Sequence, residues 1–128
     1  MIDRFGKVMI YVKDPKAAAD FWTDKIGFTK IKVNTHETGI LSVELTPNST
    51  SDASIVLFDR SIVEKMSPEL NLSTPSILFS SYDIRNMRSR LINHGVHVGE
   101  LLEMGDALTF NFSDVEGNYF AVQEIRRD

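Results

Sequence analysis

Apolar and polar positions follow one another in short runs along this chain, and twice they change period in the same order. Residues 7 to 13 are a Val-, Ile- and Tyr-rich run that predicts a strand. Asp14-Pro15 closes it and opens a helix: the Asp carboxylate suits the orphan amides of a first turn, and Pro at the first helical position loses no bond it would have made. Ala18, Phe21, Trp22 and Ile26 then recur at helical spacing on one face, and Gly27 is the stop. Strands are expected over residues 28 to 34, 39 to 46 and 54 to 59, with turn chemistry at Gly39 and in the polar stretch from Pro47 to Asp52.

A connection from residue 61 to 74 follows, with little periodicity, and then the order repeats. Ser76 to Ser81 is apolar and β-prone, Asp83 is placed to cap, and Ile84, Met87 and Leu91 share a helical face that ends at His94-Gly95. Strands are expected over 96 to 102, 107 to 113 and 118 to 125, with a turn from Ser113 to Asn118. The chain therefore reads βαβββ twice. The expected architecture is α+β, a single domain over residues 1 to 128, with module one at 1–60, the connection at 61–74 and module two at 75–128.

Composition narrows the chemistry. The 128 residues carry 14 Lys and Arg against 18 Asp and Glu, a net charge of −4, which is the wrong sign for a phosphate-backbone binder, so no nucleic-acid partner is expected. No apolar run approaches the roughly 20 residues a membrane span needs. The opening Met1-Ile2-Asp3-Arg4 leads into no signal-like apolar stretch, so a cytoplasmic protein is expected. There is no cysteine, which excludes disulfides, thiolate nucleophiles and cysteine zinc sites. The histidines form no chelating pair: His94 sits at a helix end, His97 at a strand entrance and His36 in a polar turn.

Three segments together resemble the vicinal oxygen chelate superfamily, which includes glyoxalase I, extradiol dioxygenases and the bleomycin and fosfomycin resistance proteins. They are VMIYVKDPKAAADFWTDKIGF from Val8 to Phe28, the stretch from Pro75 to Val96, and FNFSDVEGNYFAVQE from Phe110 to Glu124. The resemblance implies paired βαβββ modules whose curved sheets surround a cup, commonly with a divalent metal at its base. Aligned on the helix-opening Asp residues and the late Asp-x-x-Gly-Asn turn, the metal positions fall at Lys7, Leu57, Ser76 and Ala121. Divalent sites are built from imidazole, carboxylate or thiolate donors, and none of these four supplies one. No metal and no cofactor are expected. Glu44 and Glu124 are nearby carboxylates, read as strand-surface or end-of-strand charges.

If position 7 faces the cup, strand alternation adds Met9 and Tyr11; the second copy gives Ser76, Leu78 and Ser80, the last strand Tyr119, Ala121 and Gln123, and the strand before it, counted from the Asp turn that the resemblance implies, Thr109 and Asn111. The result is an apolar surface carrying a few hydroxyl, amide and ammonium groups, the mix expected of a small-molecule site. Tyr11 and Lys7 are the candidates for polarising an anion or a carbonyl. Three functions stay open: a metal-free binding protein for a small organic molecule, which is preferred; a glyoxalase-type lyase, isomerase or dioxygenase; and a structural or regulatory dimer. A homodimer is expected, because Ile62, Val63, Met66, Leu70 and Leu72 give the connection apolar surface to cover. The competing reading folds that connection over its own module.

Overall fold

The computed structural model describes residues 1–126. The chain divides into two compact units, Met1–Pro75 and the remainder from Ser76, so the connection belongs with the first module. Each unit is a four-stranded mixed sheet with a helix on one face.

In the first unit β1 (Lys7–Val12) leads into α1 (Pro15–Asp20), and β2 (Thr29–His36), β3 (Gly39–Thr46) and β4 (Ser54–Asp59) follow. Asp14 caps α1 by accepting from the Ala17 amide at 3.1 Å. The helix continues as a π-helical segment, Phe21–Ile26, in which the Gly27 and Phe28 amides both donate to the Trp22 carbonyl. Gly27 ends it at φ 96°, a left-handed conformation that favours glycine. The strand order is β1-β4-β3-β2, with β1 parallel to β4 and the other pairs antiparallel. Ile10, Val12, Val43, Leu45, Ile55 and Leu57 are buried on the helix side, where α1 packs against β3 and β4. Trp22 is fully buried, edge-on to Phe21 and 5.1 Å from the Phe28 ring centre.

The connection is not without regular structure. Arg60–Met66 forms a helix, α2, capped by the Asp59 carboxylate, which accepts from the Ser61 and Ile62 amides. Part of the connection folds over its own unit, where Leu72 is buried and Val63, Met66 and Leu70 line a cavity, while Met66 and Leu70 still leave much of their apolar surface exposed.

The second unit repeats the plan with β5 (Leu78–Ser81), α3 (Ile84–Asn93), β6 (Leu102–Met104), β7 (Ala107–Ser113) and β8 (Tyr119–Glu124), in sheet order β5-β8-β7-β6. Asp83 caps α3 by accepting from the Asn86 amide, and His94 Nδ1 lies 2.7 Å from the Arg90 carbonyl at its other end. Phe110, Phe112, Phe120 and Val122 are buried, as are Ile84 and Leu91 of α3, which packs against β7 and β8. The strand expected over 96 to 102 is mostly absent. Val98 bridges to Phe112, flanked by bonds from the Gly99 amide to the Asn111 carbonyl and from the Ser113 amide to the His97 carbonyl, and Leu102 opens β6. The Gly99 carbonyl, which a continued ladder would use, accepts from Arg88 Nε at 2.9 Å. No helix among the described residues is long and apolar enough to cross a membrane.

Candidate functional site

Each sheet buries the face under its helix, and strand register fixes which side chains lie on the opposite, more open face, although in the first unit Val56 and Ser42 are buried there too. In the first unit Lys7, Met9 and Tyr11 pair with Ser54, Val56 and Phe58 of β4, so these six share it. Ser42 and Glu44 lie opposite Phe58 and Val56, and Lys32 and Asn34 lie opposite Glu44 and Ser42. Leu57 corrects the sequence-based assignment: it pairs with Ile10 and points to the helix side, fully buried, away from any ligand on the open face.

At one end of this face stands a polar cluster. Lys7 Nζ donates to Glu44 Oε1 at 3.0 Å, and Ser54 Oγ donates to Glu44 Oε2 at 2.7 Å. The Ser54 hydroxyl, the Lys7 ammonium and the charge of Lys32 hold the Glu44 carboxyl below its ordinary value, against the opposing effect of burial. Glu44 is therefore not the idle strand-surface charge that the sequence suggests; its side chain is 14 % exposed, while that of Lys7 is 50 % exposed.

Farther along, the face becomes apolar. A cavity of about 280 Å³ is lined by Met9, Tyr11, Leu41, Phe58, Val63, Met66, Ser67 and Leu70. The Tyr11 and Phe58 rings lie 6.3 Å apart at 30°. Leu41 is the extra residue of a bulge, unpaired between Ile40 and Ser42, which bends β3 locally. The middle and the end of α2 supply Val63 and Met66. Sequence reasoning found Met9 and Tyr11 but missed Phe58, Leu41 and the contribution of α2.

In the second unit the strand register puts the sequence-selected residues other than Ser76 on one face. Leu78, Ser80, Ala121 and Gln123 are paired between β5 and β8, while Thr109, Asn111 and Ser113 of β7 lie opposite Gln123, Ala121 and Tyr119. Gln123 Nε2 donates to Ser80 Oγ at 3.1 Å. Ser76 precedes β5 and is exposed. Leu78 and Tyr119 are more than half exposed, so this face offers apolar surface as well as amide and hydroxyl groups.

The residues at the family's metal positions do not suit a divalent cation. Lys7 brings a donor-only ammonium already paired to Glu44, Leu57 is buried on the other side of its sheet, Ser76 offers a single hydroxyl, and Ala121 a methyl. Among the described residues no three His, Asp or Glu side chains gather in a way that would hold a metal.

Residues 4–122 match the Glyoxalase/Bleomycin resistance protein/Dioxygenase superfamily. The chain belongs to that superfamily. Within it, the chain is 28% identical over 125 residues to YetH of Bacillus subtilis (strain 168), covering 97% of this chain and all of that one. A superfamily member from Sphaerobacter thermophilus DSM 20745 superposes with a TM-score of 0.78 at 25% identity, over 97% of this chain and 98% of the other. TnmS3, an antibiotic binding protein from Streptomyces sp. CB03234, shares the fold at a TM-score of 0.78 and 22% identity, over 96% of both chains. The paired βαβββ arrangement is thus a shared superfamily architecture, and what distinguishes this chain is the set of side chains on its open faces.

Proposed function

We propose that this chain is a binding protein for a small organic molecule, held without a metal on the open face of the first unit. The observation that carries the reading is the cavity of about 280 Å³ over Met9, Tyr11 and Phe58. Small-molecule sites are concave and mostly apolar, with a few polar groups to fix orientation; here the Tyr11 and Ser67 hydroxyls are the polar groups. The donor chemistry at Lys7, Leu57, Ser76 and Ala121 favours binding over metal-assisted lyase or dioxygenase chemistry. TnmS3, with the same fold, is an antibiotic binding protein, which supports the same use. Leu78, Ser80, Thr109, Asn111, Tyr119, Ala121 and Gln123 serve as a second ligand-facing surface.

A small-molecule library screened by thermal shift, with and without added divalent metal, tests the reading. Hits whose shift is independent of metal and is lost in Tyr11→Ala are expected. Shifts that appear only with metal would replace binding by metal-assisted chemistry. The working assembly is a homodimer, a reading supported by the apolar surface that Leu78, Tyr119, Met66 and Leu70 leave open in the single chain. Light scattering at micromolar concentration is expected to give twice 14.5 kDa; one species at 14.5 kDa would sink the dimer and leave the ligand reading intact.

A further inference from the structure

Resting on that ligand-binding reading, we propose that the molecule taken by the first unit is an amphipathic organic acid: its carboxylate meets Lys7, and its apolar body lies over Met9, Tyr11 and Phe58. Lys7, Met9 and Tyr11 follow one another on the open side of β1. A strand rises about 3.3 Å per residue, which puts Lys7 about 7 Å from Met9, the length of a short side chain beyond an aromatic ring. The cavity itself is lined by no charged residue, so it suits an uncharged body. The cluster beside it is charged and asymmetric. Glu44 spends one oxygen on Lys7 and the other on Ser54. The Lys7 ammonium has three donors, and the side chain is half exposed, so it retains hydrogens for an incoming acceptor. Lys32, opposite Glu44 in the β2–β3 register, makes two ammonium groups to one carboxylate on this part of the face. The balance attracts an anion and repels an amine.

The probes are naphthalene carboxylic acids with one, two or three methylenes between ring and carboxylate, each beside its methyl ester, titrated calorimetrically into the full chain at neutral pH. For the best chain length the acid is expected to bind at least tenfold more tightly than its ester, since a charge-assisted hydrogen bond distinguishes them. Lys7→Met is expected to shrink that ratio to less than twofold. Glu44→Gln, which removes the opposing charge and releases the ammonium, is expected to widen it. Opposite movements of one ratio are a charge signature that loss of packing does not produce. Acid and ester binding equally at every length, or Lys7→Met leaving the ratio unchanged, would overturn the organic-acid assignment while the cavity kept its role. If no acid or ester bound, the assignment and the cavity reading beneath it would fall together.

Discussion

Asp114 is 7 % exposed and works as a template for the turn before β8. Its Oδ1 accepts from the Glu116 and Asn118 amides at 2.9 and 2.8 Å, and its Oδ2 from Asn118 Nδ2 at 3.0 Å. Asp114→Ala leaves those amides without their acceptor, and a loss of about 2–3 kcal/mol in urea denaturation is expected; Asp114→Asn, which keeps one acceptor oxygen, is expected to lose less. A second residue-scale prediction concerns acid. Folding lowers the proton affinity of Glu44 relative to its ordinary pKa of 4.5, so the folded state takes up protons later than the unfolded one as pH falls. The stabilisation from the carboxylate is complete above that value and is lost as pH drops through the folded pKa. Glu44→Gln is expected to flatten the fall in stability below about pH 4.5, read as denaturation midpoints of both proteins across that range. Parallel curves for the two proteins would mean that the pair with Lys7 and Ser54 contributes nothing to folding.

The helical elements depend on their ends. Gly27, at φ 96°, stops the π-helical segment that carries the buried Trp22. Gly27→Val is expected to cost about 1–2 kcal/mol, because a Cβ there meets the carbonyl that follows; an unchanged thermal midpoint would show that the segment can end in another way. Caps and stops of this kind were legible in the sequence, as Asp14, Gly27, Asp83 and His94 show, because each acts through neighbours in the chain. α2 was hidden because Asp59 is both the last residue of β4 and the cap of the helix, so no separate start signal exists. The facing of β4 was hidden for another reason. Ile55, Val56 and Leu57 are all buried, so apolar alternation carries no information there, and only the parallel register with β1 puts Leu57 on the helix side. Glu44 meets Lys7 across an intervening strand, a contact set by tertiary register with no trace in local spacing.

At the scale of the whole chain, each unit is one sheet with a helix on one side, and its other side carries apolar residues. In the second, Leu78, Leu102, Met104 and Tyr119 are all more than half exposed. A unit this small has little buried surface to set against the entropy of ordering its chain. Residues 76–128 expressed alone are therefore expected to show no cooperative melting transition by circular dichroism, whereas the full chain shows one; a sharp transition in the fragment would prove it self-sufficient.

The parallel pairings also set an order of events during synthesis. The last residue of β1 is Val12, yet the neighbour it hydrogen-bonds to ends at Asp59, and β5, complete at Ser81, awaits a strand that ends at Glu124. At roughly 5–20 residues per second, β1 leaves the ribosome several seconds before its partner exists. The intervening hairpin of β2 and β3 has no such delay, since its strands are adjacent in sequence. A newborn chain thus forms that hairpin early and holds β1 as an unpaired edge in the interval, the species that a chaperone or a second nascent copy would meet first.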